Sequence, residues 1–86
     1  MKTVNLNKSE IEILFQEDPS TKSEGGFQRL LVTLQECTDR TTGQCEIATA
    51  VFPRIAKYAF DYGNGGWQTR LTGIFARTLG PKLGRE

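Results

Sequence analysis

Phe60-Asp61-Tyr62-Gly63-Asn64-Gly65-Gly66-Trp67-Gln68-Thr69 can be read in two ways, and the choice between them sets the fold class. As a β-hairpin, Asn64-Gly65 supplies the two-residue turn, and short alternating runs flank it. As a junction between helices, the glycines end one helix and open the next. The flanks decide the matter. Upstream, Val51, Ile55, Tyr58, Ala59 and Tyr62 recur at spacings of 4-3-1-3. Downstream, Trp67, Leu71, Ile74, Phe75, Thr78 and Leu79 fall on one side of a helix. Each stripe extends over about three turns, whereas the alternation covers only a few residues. Helices are expected on both sides, with a short hairpin at 60–69 as the minority reading.

The same stretch contains half of a duplication. Gly25-Gly26-Phe27-Gln28 and Gly65-Gly66-Trp67-Gln68 share the pattern Gly-Gly-aromatic-Gln, and each is followed by leucines at helical spacing. The first copy opens a helix from Ser23 or Glu24 to about Thr38, with Phe27, Leu30, Leu31, Leu34 and Cys37 on its apolar side. Gln28, Arg29, Gln35 and Glu36 take its wet side. Glycines are poor helix formers, by roughly 1 kcal/mol against alanine in a helix interior, so both pairs fit best at entry turns.

Working outward, residues 1–8 are polar and read as a flexible arm. Ser9 is the expected N-cap of a first helix over about 9–17, carried by Ile11, Leu14 and Phe15 and stopped at Asp18-Pro19. Residues 19–23 read as a loop, 38–44 as a turn-rich connection, and 45–48 as either a short extended piece or a loop. Thr49 is the expected cap of a third helix with Pro53 in its first turn. Gly63 or Asn64 suits its left-handed end. The fourth helix runs over about 66–79, and 80–86 is a tail. The expectation is an all-α domain over 1–86, with about four helices arranged as two helical hairpins.

Composition narrows the function classes. The chain has 86 residues, 37% hydrophobic and 24% charged, which fits one globular domain. No apolar run approaches the ~20 residues that span a bilayer, so no membrane partner is expected and a cytoplasmic location is the default. The net charge is +1. Residues 1–48 carry five Lys/Arg and eight Asp/Glu, a balance of −3, whereas residues 49–86 carry six and two, a balance of +4. The two halves can attract each other, or the C-terminal part can present a mildly basic face to an acidic partner. With two cysteines and no histidine, the chain cannot close a structural zinc shell alone, and no metal or cofactor is expected. Cys37 continues an apolar stripe and is expected buried; Cys45 lies in a polar connection and is expected exposed. Nothing in the pattern pairs a nucleophile with a base, so an enzyme is not expected.

Three groups of residues are candidates for contact. Arg70, Gly73 and Arg77 share a face of the last helix, and Lys82 extends its basic character. Phe60 lies off the main stripe of the third helix and is the ring expected to be exposed as an interface anchor. The paired glycines Gly25, Gly26, Gly65 and Gly66 expose N–H groups at helix starts and could hold an anion, although neither copy has the lysine of a phosphate loop. In size and compact helical plan the chain is similar to small proteins of bacteria, phages and other mobile elements, many of which bind another protein. That resemblance rests on general character and on no motif. The function expected is a non-enzymatic binding module, an adaptor, inhibitor or regulator, whose partner is another protein or a second copy of itself. The alternative is nucleic-acid binding through the basic last helix.

Overall fold

The computed structural model describes residues 1–85 and places two strands and four α-helices in the order β1 (Lys2–Asn5), α1 (Lys8–Leu14), α2 (Gly26–Glu36), β2 (Gln44–Ile47), α3 (Phe52–Phe60) and α4 (Gly65–Leu79). A 3₁₀ turn, Pro19–Ser23, precedes α2 where a loop is expected; the Asp18 carboxylate caps it by accepting from the Ser20 N–H. The fold is therefore mixed α/β, and the all-α expectation is corrected by an antiparallel pairing of β1 with β2.

That pairing has a simple cause. Val4 and Leu6 alternate with Thr3, Asn5 and Asn7, and Cys45 and Ile47 alternate with Gln44 and Glu46. In the register Val4↔Cys45 and Lys2↔Ile47, all four apolar side chains fall on one face and are buried. Each is worth about 1.5–3 kcal/mol relative to exposure, for the larger side chains. A two-stranded ribbon is marginal alone, and packing on helices makes it stable. The segment expected to be a flexible arm is thus a structural strand. β2 also bridges Thr38 on its other side through Cys45.

The helical junction at 60–66 follows the preferred reading: α3 ends at Phe60, α4 starts at Gly65, and no strand lies between. Gly63 takes the left-handed conformation (φ +64°) that closes α3. The N-cap of α1 lies two residues earlier than expected, because Asn7 and Glu10 form a capping box that displaces Ser9. The pairing into two sequential hairpins is also corrected. α3 packs on α4, but α1 packs chiefly against α4 rather than α2.

One core cluster joins every helix and both strands: Leu14 from α1, Phe27, Leu30, Leu31 and Leu34 from α2, Ile55 and Ala59 from α3, and Leu71, Ile74 and Phe75 from α4. The tail is docked as well. Leu83 is buried with a left-handed φ of +53°, a strain of about 1–3 kcal/mol that the 1.5–3 kcal/mol of its burial offsets. Arg85 closes the tail with a two-pronged pair to the Asp61 carboxylate at 2.6 and 2.9 Å. Among the described residues no helix is long and apolar enough to cross a membrane.

Candidate functional site

The two copies of Gly-Gly-aromatic-Gln meet in space. α2 and α4 bring their first turns together so that the Phe27 and Trp67 rings stack, with centroids 4.7 Å apart and planes within 7°. Tyr58 of α3 stands edge-on to Trp67 at 5.7 Å and stacks on Tyr62 at 4.9 Å. Four rings therefore run from the core outward: Phe27 is buried, Tyr58 and Trp67 are half-buried, and Tyr62 is 50% exposed. Such ring pairs contribute about 0.5–1.5 kcal/mol beyond area burial, which makes the cluster a rigid platform.

Beside this stack lies an open groove of about 790 Å³. Phe27 and Trp67 line its floor with Ile13 of α1. Gln16 and Glu17 form one wall, and Gln28, Gly65, Gly66, Thr69 and Arg70 the other. Its volume falls in the range of sites that take ligands or peptide segments, and its make-up is the usual one of an apolar floor with a few polar groups at the edge. Arg70 faces Glu17 at 4.0 Å, the outer limit of an ion pair, and both side chains keep some exposure at 28% and 14%.

The Glu17 wall is held by a residue that the sequence pattern places on the wet side of α2. Gln35 is buried, and its amide donates to the carbonyls of Leu14 (3.0 Å) and Glu17 (2.8 Å). It thereby satisfies the carbonyl of Leu14, the last residue of α1, and that of Glu17 in the turn that follows. Gln35 sits one turn beyond Leu31, so the face it occupies touches the end of α1. The only sequence signal is its position between Leu34 and Cys37.

The expected contact face on α4 is divided. Arg70 lies in the groove, but Gly73 and Arg77 face α1 and β1. A Cβ on Gly73 would come within 3.2 Å of Ile13 Cδ1, so this glycine admits the neighbouring helix. Arg77 donates from Nε and Nη2 to the Glu10 carboxylate at 3.1 and 2.8 Å, and from Nη2 to the Asn5 carbonyl at 2.6 Å. It clips α4 to α1 and β1, which is a structural task. Glu10 is buried. Burial would raise its pKa, but hydrogen bonds from Arg77 and from the Asn7 N–H, with the Arg77 charge, hold it below the ordinary value. Lys82 is exposed, away from the residues that line the groove. Phe60 is half-buried and packed against the core, so the exposed ring is Tyr62 instead.

The paired glycines act differently in the two copies. A Cβ on Gly26 would overlap the Tyr58 hydroxyl, so this glycine lets Tyr58 pack against the start of α2. Gly65 and Gly66 stay open at the groove edge, and Asn64 caps α4 by accepting from the Trp67 N–H at 3.1 Å. The cysteines exchange the places expected for them. Cys37 is exposed at the end of α2, and Cys45 is buried on the inner face of β2, where burial pushes its thiol pKa up. Among the described residues no group of histidine, cysteine and carboxylate side chains could hold a metal. No protein-family model, curated protein or solved structure matches this chain.

Proposed function

We propose that the protein is a non-enzymatic binding module that receives a segment of another protein in the groove beside the Phe27–Trp67 stack. The observation that carries this reading is the convergence of both Gly-Gly-aromatic-Gln copies on one apolar floor with a polar rim. A rigid aromatic surface with polar edges is the usual anatomy of an interface anchor site. The open shape favours an extended or helical segment over a small enclosed ligand. Arg70 is the sequence candidate that stays in this reading. Tyr62, exposed beside Trp67, extends the surface.

The nucleic-acid alternative has less support from the geometry. Both arginines of α4 face carboxylates, Arg77 with Glu10 and Arg70 with Glu17, so little free positive charge remains along that helix. The test is an affinity capture from the native cell with tagged wild-type protein, in parallel with Arg70→Glu and Tyr62→Ala. A protein that is retained by the wild type, lost with both variants and insensitive to salt supports the groove. A partner retained equally by all three moves the interface elsewhere. Retention of nucleic acid that falls steeply with salt supports the alternative.

A further inference from the structure

We propose that Asn64-Gly65 is a site of spontaneous deamidation, which places a carboxylate or a lengthened main chain at the groove edge. The reaction needs only water. The Gly65 main-chain nitrogen gives up its proton to solvent and attacks Asn64 Cγ. As the N–C bond closes a cyclic imide, the C–NH₂ bond breaks and ammonia leaves with a proton from water. Water then opens the imide at either carbonyl. Opening at the main-chain carbonyl yields isoaspartate, and opening at the former side-chain carbonyl yields aspartate. The net change is one water in and one ammonia out.

Four features of the site favour this step. Asn64 and Gly65 are both exposed, and a Cβ on Gly65 would meet nothing within 4 Å, so the nucleophile is unshielded. Gly65 is the first residue of α4, where the N–H has no partner within the helix. The Trp67 N–H already donates to Asn64 Oδ1 at 3.1 Å, which polarises the carboxamide and would stabilise the oxyanion formed on attack. Ring closure requires rotation away from the extended Asn64 ψ of 103°, and the glycines at 63, 65 and 66 leave the chain free to follow.

The chain carries its own control. Of its three asparagines, Asn7 caps α1 through a similar bond, with Oδ1 accepting from the Glu10 N–H at 2.9 Å, but is followed by Lys8. Asn5 lies in β1 before the buried Leu6. The two caps differ chiefly in the residue that supplies the nucleophile. The products also differ in effect. Aspartate at 64 still caps α4 and adds a charge at the positive end of its dipole. Isoaspartate adds a main-chain atom and removes the cap from Trp67. That effect on binding rests on the groove reading, whereas the chemistry does not.

The experiment is incubation of the folded full chain in neutral to mildly alkaline buffer, followed by peptide mapping. The readouts are the mass gain for exchange of NH₂ by OH and methylation by an isoaspartyl methyltransferase. Asn64 should convert many-fold faster than Asn7 and Asn5 and give both products. Gly65→Ala, whose methyl has open space, should slow Asn64 many-fold without destabilising the fold. Conversion of Asn64 no faster than Asn7, or unchanged by Gly65→Ala, would overturn the proposal. Because the readout is mass, its failure is separate from any failure of partner capture.

Discussion

Gly26→Ala is the sharpest test of how the two glycine pairs are used. The added methyl would overlap the Tyr58 hydroxyl and lie 2.9 Å from Cζ and 3.3 Å from Cε1. Overpacking of this kind costs about 1–3 kcal/mol. Loss of glycine's freedom in the unfolded chain returns about 0.4–1 kcal/mol. The net is a destabilisation of about 1–2 kcal/mol. With a urea m-value of about 1.5 kcal/mol/M, the unfolding midpoint should fall by about 1 M. Trp67, the single tryptophan, reports the transition by fluorescence. The magnitude alone does not identify the cause, so the variant is paired with Tyr58→Phe. Removing the hydroxyl leaves only the 2.9 and 3.3 Å contacts, which a slight shift of the ring relieves. The double-mutant cycle should show a favourable coupling of about 1 kcal/mol. If the tyrosine instead swings outward, it must leave Tyr62 and Trp67, and near-ultraviolet circular dichroism will register the change. A Gly26→Ala variant as stable as wild type, or one equally costly in the Tyr58→Phe background, refutes the packing argument.

Three further outcomes follow from the structure. Because the Glu10 pKa is depressed in the fold, the stability it contributes is present above its ordinary value of 4.5 and is lost as the pH falls through the folded value. Urea midpoints should therefore fall more on acidification in wild type than in Glu10→Gln, and equal slopes would contradict the clip. The register of β1 turns the N–H groups of Val4 and Leu6 toward β2 and those of Thr3 and Asn5 away, as the 2.8 Å bond from Leu6 to Gly43 shows. Amide exchange should be slow at Val4 and Leu6 and fast at Thr3; uniform fast exchange across residues 2–6 would mean that no strand forms. With Cys37 exposed and Cys45 buried, a thiol reagent should label Cys37 alone in native buffer and both cysteines in denaturant. Native labelling of Cys45 would contradict the inward-facing β2.

The helical part of this fold was open to sequence reasoning because its stripes are long. The period-3.6 signal through Val51–Tyr62 and Trp67–Leu79 outweighs the Asn-Gly turn, and α3 and α4 form there. The sheet was harder to see because each strand has only four residues. Val4 and Leu6 do alternate with polar residues over Thr3–Asn7, but that run is at the short end of the roughly 4–8 residues over which alternation marks a strand. Their partner strand lies about forty positions away in sequence, and no local turn announces the pairing. The cysteine exchange follows from the same gap. Without β2, Cys45 has no inner face, and with α2 ending at Glu36, Cys37 loses the stripe that would bury it. In the candidate site, Arg70 and Gly65-Gly66 could be named in advance. Gln35 could not, because its burial depends on where the end of α1 comes to rest.

The uneven charge along the chain has a physical use inside the molecule. The acidic first half and the basic second half are joined by Glu10–Arg77, which ties α1 to α4, while Arg70 stands 4.0 Å from Glu17 in the turn after α1. Lone Glu-to-Arg contacts at a surface are worth little. Here, however, the Glu10 carboxylate is buried and accepts from two elements at once, so it fixes the register of α1 on α4 rather than merely adding attraction. The Glu10–Arg77 charges therefore act on the protein's own architecture, by joining α1 to α4.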